Sequence, residues 1–153
     1  MRPWLRLCEA SLDALAGLRS RRDRSTAGRR RALGEAGERR AYFHLRRLGY
    51  VIVARQWQAP NLDGEVDLIA WQGETLCFIE VKSRAARDRY APERLIDGNK
   101  RTALRRMARA YVRGLYNDGD PLPDMRADVV TALRLRREWR VQVQADAFSL
   151  RSD

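Results

Sequence analysis

Gly64-Glu-Val-Asp67-Leu-Ile-Ala-Trp71-Gln-Gly-Glu74-Thr75-Leu-Cys-Phe-Ile-Glu80-Val-Lys82-Ser83 is the stretch whose reading decides the fold. Two runs rich in β-branched and aromatic residues, 65–71 and 75–83, flank Gln72-Gly73-Glu74. So short a connection forces an antiparallel hairpin. Side chains alternate faces along a strand, so Glu65 shares a face with Asp67, and Glu80 with Lys82. Pairing across the hairpin joins those faces. One register sets Glu65 opposite Glu80, with Asp67 diagonal. A shift of two residues sets Asp67 directly opposite Glu80. In both, Asp67, Glu80 and Lys82 stand on one side, with neighbours ~5 Å apart and diagonals ~7–8 Å.

An acid-x-Lys pattern is common on exposed strands, where it makes a surface ion pair. Here the charges interrupt near-continuous apolar runs, Val66-Asp67-Leu68-Ile69 and Phe78-Ile79-Glu80-Val81-Lys82. That composition marks buried strands, where each charge requires a partner. Glu38 lies on the same helical stripe as Ala41, Tyr42, Leu45 and Leu48, so a third acid is expected to face the sheet. Converging carboxylates require a cation. Oxygen ligands without His or Cys select a hard divalent ion, Mg²⁺ or Mn²⁺. Asp67, Glu80 and Glu38 are the candidate metal ligands, and Glu65 is either a further ligand or a rim residue. Lys82 would orient a water and offset charge developing on phosphorus. Cys77 falls on the face opposite Glu80 and reads as core.

Outward from the hairpin, 35–48 predicts a helix closed by Gly49, and 50–57 a strand. Residues 59–64 read as a turn, and the loop after Ser83 is rich in arginine. Residues 99–115 predict a second helix, with Leu104, Met107, Ala108, Tyr111 and Leu115 on its buried face. Asn117–Pro123 breaks it, and 128–133 and 139–143 predict the last strands. The order α-β-β-β-α-β-β makes a mixed α/β domain with helices flanking one central sheet.

Composition supports a packed domain and bounds its partners. The chain has 153 residues, 44% of them hydrophobic, and a net charge of +11. Of its 31 basic residues only Lys82 and Lys100 are lysines. One histidine, His44, and two cysteines, Cys8 and Cys77, exclude a disulfide framework and a Cys/His zinc site. No apolar run is long enough to span a bilayer. The excess charge is uneven: residues 1–31 hold nine arginines against three acids. Trp4, Cys8, Leu12, Leu15 and Leu18 suggest a short amphipathic helix, followed by a flexible basic linker over 19–31. The compact domain is expected over 33–153, after an N-terminal extension of 1–32. Asp128 opens a strand and reads as a structural acid away from the site.

The motifs are also those of a known family. Gly34-Glu-Ala-Gly37-Glu38…Ala41…Leu48-Gly-Tyr50, Gly64-Glu-Val-Asp67-Leu-Ile, Phe78-Ile-Glu80-Val-Lys82-Ser-Arg84, Lys100…Ala108-Arg-Ala-Tyr111 and Arg126-Ala-Asp128-Val-Val resemble the bacterial YraN family. Those proteins are described as endonucleases related to archaeal Holliday-junction resolvases. The resemblance runs from about residue 33 to 150. It implies a restriction-endonuclease-like fold with Asp67, Glu80 and Lys82 as the catalytic set and Glu38 as the helix-borne acid. One departure is visible: members usually read Arg-Asn-x-Arg after the first strand, whereas here Arg55-Gln56-Trp57-Gln58 keeps only the first arginine.

The expected function is a metal-dependent nuclease acting on DNA, branched or otherwise structured. The alternative is a catalytically inactive nucleic-acid-binding protein of nuclease fold. A third reading uses 1–31 to bind an anionic membrane surface. Arg84, Arg87 and Arg89 of the loop beside the site are expected to contact phosphates, as are Lys100, Arg101 and Arg105 of the second helix. A cytoplasmic location follows from the absence of targeting signals, and a homodimer is expected only by analogy with resolvases.

Overall fold

In the computed structural model, residues 25–85 and 96–150 are described. The elements are α1 (Thr26–Arg47), β1 (Val51–Trp57), β2 (Val66–Gln72), β3 (Thr75–Ala85), α2 (Gly98–Arg113), β4 (Asp124–Leu135) and β5 (Glu138–Phe148). The strands form one sheet in the order β1-β2-β3-β4-β5. All neighbours are antiparallel except β3 and β4, which run parallel. That pair needs a crossover, and α2 supplies it. This is the mixed sheet, flanked by helices, that the α-β-β-β-α-β-β order and the family resemblance imply.

The two faces of the sheet carry different cores. Ala41 and Leu45 of α1 pack with Leu68, Ala70, Cys77, Ile79, Val81 and Val130. Leu104, Met107, Ala108 and Val112 of α2 pack with Ile69, Leu76, Phe78 and Ala127. Trp57 and Phe78 each meet Tyr111 edge to face, at 5.1 and 5.8 Å between ring centroids. Strand alternation therefore places Asp67, two residues from Ile69, and Glu80, two from Phe78, on the α2 face.

Three expectations need correction. α1 begins at Thr26, not near residue 35, so part of the proposed basic linker is helix. Ser25 caps it, its hydroxyl accepting from Gly28 N at 3.0 Å, and Arg31 pairs with Glu35 at 3.0 Å. These first turns show no apolar period because their side chains are largely solvent-exposed. Leu48 and Leu115 lie just past the ends of α1 and α2 and are exposed, and Phe43 and Val112 are buried instead. The last two strands are longer than predicted: polar residues flank the buried centre of β4, and β5 alternates exposed and half-buried residues over most of its length. The amphipathic stretch through Trp4 to Leu18, and Arg87 and Arg89, lie outside the described residues.

Two close contacts fix the layers. Gly37 of α1 rests on β3 so tightly that a Cβ there would meet Ser83 Oγ at 1.8 Å and Ala132 Cβ at 3.3 Å. Beneath the same helix, Asp128 is fully buried. It accepts from the Arg126 fork at 2.9 and 3.1 Å, from the Tyr50 hydroxyl at 3.2 Å and from Asp146 N at 3.0 Å. Arg126 also donates to Gln72. Asp128 pairs with Ile79 in the parallel register, on the face opposite Glu80. It is thus the structural acid the sequence suggests.

Candidate active site

The hairpin register is settled by its turn. Gln72 pairs with Thr75, leaving Gly73 and Glu74 as the loop, with Gly73 at φ +58°. Leu68 then pairs with Ile79, the last pair of this ladder, and Asp67 and Glu80 are the next residues on their strands, in the register that aims them at each other. This is the second of the two registers open to the sequence. Both acids are buried, at 8% and 4% exposure. Asp67 Oδ2 accepts from Val81 N at 2.6 Å. Burial, reinforced by the Glu80 charge, pushes the Asp67 carboxyl up to about 7, although the Val81 bond pulls it down.

Glu80 is held by two ammonium groups. Lys82 Nζ lies 2.9 Å from Oε1, and Lys100 Nζ lies 2.9 Å from Oε2. Lys100 Nζ also donates to the Glu65 carbonyl at 3.3 Å. Burial works against the Lys100 charge, but Glu80 outweighs it and the pKa of Lys100 rises. α2 is capped by Asp97, whose side chain accepts from Lys100 N at 2.8 Å. The cap orients the backbone of Lys100 while its side chain crosses to β3. The sequence reads Lys100 as a phosphate contact, and the structure sets its ammonium against Glu80.

Glu38 reaches the site from the other layer. It sits on α1, which packs on the opposite face of the sheet from Asp67 and Glu80. Its carboxylate accepts from Gln56 Nε2 at 3.0 Å. Burial raises its pKa against that hydrogen bond, and the Glu65 charge adds to the rise. Gln56 stands at φ +47°, a left-handed conformation that asparagine tolerates better than glutamine. The departure from Arg-Asn-x-Arg thus falls on the residue that positions Glu38. Nothing in the sequence pointed to this contact. Glu65 is half-buried, and its carboxylate accepts from Gln58 Nε2 at 3.5 Å.

Oxygen donors alone are present, which suits a hard divalent ion. Among the described residues no three acid, His or Cys side chains gather as one metal-sized group, so Glu38 and Glu65 are not brought into a common shell with the opposed pair. Two carboxylates suffice for Mg²⁺, which keeps several waters. Glu80 Oε2 is buried and accepts no well-aligned hydrogen bond, although the Lys100 charge is beside it. Asp67 and Glu80 therefore fit a divalent ion as ligands.

The basic residues divide by environment. Arg84 is exposed on β3. Arg101 lies over the Phe148 ring at 5.6 Å, and Arg105 donates to the Ser149 carbonyl at 3.0 Å, so both guanidinium groups contact the end of β5. Arg106, Arg109 and Arg113 instead line two adjoining clefts of about 460 and 330 Å³, with Leu62 and Arg106 common to both. The larger contains Asn99, next to Lys100, but none of the acids.

Comparison with known proteins supplies the family. The model of "Uncharacterised protein family UPF0102" matches residues 37–132, which span Glu38, Asp67, Glu80, Lys82 and Lys100. The chain belongs to the UPF0102 family. A UPF0102 protein of Koribacter versatilis is 38% identical over 150 residues, covering 98% of both chains. UPF0102 proteins of Chlorobaculum tepidum and Moorella thermoacetica are each 40% identical, over 71% and 73% of this chain and 80% and 88% of their own. This is the YraN-like group that the motifs resemble. The Koribacter alignment is long enough to take in most of residues 1–32, which the motif resemblance leaves out. No helix among the described residues is long and apolar enough to cross a membrane.

Proposed function

We propose that this UPF0102 protein is a Mg²⁺- or Mn²⁺-dependent nuclease that hydrolyses phosphodiester bonds in branched or otherwise structured DNA. The observation that carries the reading is the nearness of two buried carboxylates, Asp67 and Glu80, each felt by the other, with Lys82 beside Glu80. Desolvated acids side by side repel, and a divalent ion is the simplest way to keep both ionised. Asp67 and Glu80 would hold it, with the Val81 carbonyl as backbone donor and Glu38 acting through water. When bound, such an ion polarises a phosphoryl oxygen and acidifies a coordinated water.

The chain's own groups do the rest. Lys82 keeps a compact ammonium beside Glu80, where it orients the attacking water in line with phosphorus. It also offsets negative charge building on the phosphoryl oxygens. The Val81 N–H holds Asp67 in place so that its other oxygen faces the site. The arginines along the α2 clefts supply the phosphate contacts that a polyanionic substrate needs.

A second reading, a nucleic-acid-binding protein without turnover, draws on one observation: both lysines already balance Glu80. Purified protein incubated with linear, single-stranded, flapped and four-way DNA separates the two. Scission that requires Mg²⁺ or Mn²⁺ and is lost in Glu80→Ala and Lys82→Ala supports the nuclease. Undiminished cleavage by both variants overturns the site, and binding without scission selects the second reading.

A further inference from the structure

We propose that Lys100 is the resident cation of this site. Its ammonium takes the position on Glu80 Oε2 that a divalent ion would occupy, and the ion displaces it. The inference rests on the metal-site reading and adds a latch to it.

The first support is the use of lysine. The chain has 31 basic residues and only two are lysines, yet both ammonium groups lie 2.9 Å from one carboxylate. An arginine at either place would grip the carboxylate through a planar two-pronged fork. An ammonium is a point charge on a flexible stem and leaves more readily. Where every other basic position carries arginine, two lysines on Glu80 indicate a demand for that chemistry.

The second support is geometric. Lys82 follows Glu80 at i+2 on the same strand, so it stays beside the carboxylate. Lys100 comes from a different element and only its side chain crosses the gap. Its backbone is tied separately, through the Asp97 cap at 2.8 Å. The side chain can withdraw without disturbing α2. Among the described residues its side chain is held by two contacts only, the 2.9 Å ion pair to Oε2 and a 3.3 Å bond to the Glu65 carbonyl.

The third is charge balance. With Asp67 ionised, the two carboxylates and the two ammonium groups of the site sum to zero. A divalent ion added to that set would leave two surplus positive charges in a half-dry site and would share Glu80 Oε2 with an ammonium. Like charges at that separation repel strongly. Release of Lys100 removes the clash, and an ion binding without release would be weak.

The two-lysine composition makes the test direct. In full-length protein labelled with ¹⁵N,¹³C-lysine, the side-chain ammonium spectrum contains one signal from Lys82 and one from Lys100, assigned with Lys100→Met. Mg²⁺ without nucleic acid should move the Lys100 signal to the position of a solvated lysine and leave Lys82 shielded from exchange. Mn²⁺ binding read by electron paramagnetic resonance should tighten about tenfold in Lys100→Met, since removing a competitor worth about 1.4 kcal/mol has that effect. Lys100→Gln, checked with Lys100→Met for native circular dichroism, should tighten in the same direction. Binding of Mn²⁺ with an unmoved Lys100 signal, or with affinity in both variants no tighter than wild type, overturns the latch and leaves the metal site standing. No binding by any of the three proteins overturns both.

Discussion

Asp67 Oδ2 accepts a 2.6 Å hydrogen bond from the backbone N–H of Val81, the residue between Glu80 and Lys82. An acid on β2 thereby ties down the acid-x-Lys segment on β3. The carboxylate is nonetheless raised from its ordinary 3.8 to about 7, because burial and the facing Glu80 outweigh that bond. Between these values the folded chain binds a proton that the unfolded chain has lost. The stability this group contributes is whole below about pH 4 and disappears as pH rises through about 7. Melting in EDTA should therefore show the wild type losing stability between pH 5.5 and 8. Asp67→Asn should lose less, leaving it about 5 °C ahead at pH 8. Parallel pH profiles would show that Asp67 is not the titrating group.

The same proton competes with a metal. Mn²⁺ affinity, measured by calorimetry, should strengthen as pH passes through about 7 and Asp67 ionises. In Asp67→Asn the dependence should flatten and binding should weaken at pH 8. An unchanged pH dependence in the variant would remove Asp67 from the ligand set.

Gly37 and Gly34 lie one turn apart on α1 and should respond oppositely to alanine. A Cβ at Gly37 collides with Ser83 and crowds Ala132, whereas one at Gly34 meets nothing within 4 Å. Gly37→Ala should cost about 2 kcal/mol through overpacking, and also shift neighbouring Glu38. Gly34→Ala should be stabilising by up to about 1 kcal/mol, the ordinary helix preference. Chemical denaturation of both variants measures this. A neutral Gly37→Ala would mean that α1 is free to ride off the sheet.

Asp128 should matter for folding and not for chemistry. Its carboxylate is fully buried and shared by Arg126, Tyr50 and Asp146 N. Asp128→Ala leaves the Arg126 charge without its partner, and should cost about 3–5 kcal/mol. Tyr50→Phe should cost only about 1 kcal/mol. Mn²⁺ affinity of folded Tyr50→Phe should match wild type, since the cluster lies on the face away from Glu80.

Arg106, Arg109 and Arg113 line the clefts along α2. If they contact phosphates, each replaced by alanine should reduce the salt slope of DNA binding by about 0.9. Arg101→Ala, which loses a contact to Phe148, should leave the slope unchanged. Equal slopes for all variants would move the binding track elsewhere.

Much of the site was legible from the chain alone. Strand parity is local, so Asp67, Glu80 and Lys82 could be placed on one face without knowing the sheet order. The brief connection Gln72-Gly73-Glu74 narrowed the pairing to two registers, and the Gln72–Thr75 closure selects between them. The start of α1 was less legible. Helical reading relied on apolar period, and its first turns rest on the Ser25 cap and side-chain pairing instead. Leu48 and Leu115 continued a periodic pattern past Arg47 and Arg113, where the helices end.

From residue order follow the hairpin, the shared face of its three charged residues, the family and the scarcity of lysine. Packing decides the remainder, because it joins residues whose separation in the chain carries no period. Glu38 approaches from the layer opposite Asp67, steered by Gln56 at the end of β1. Lys100 crosses from α2 to the carboxylate that Lys82 already holds. Asp128, another acid in an apolar strand, is turned to the far face and neutralised there by Arg126. A buried charge must find its partner in space, and only the sheet order and the seating of the two helices determine which partner is near enough.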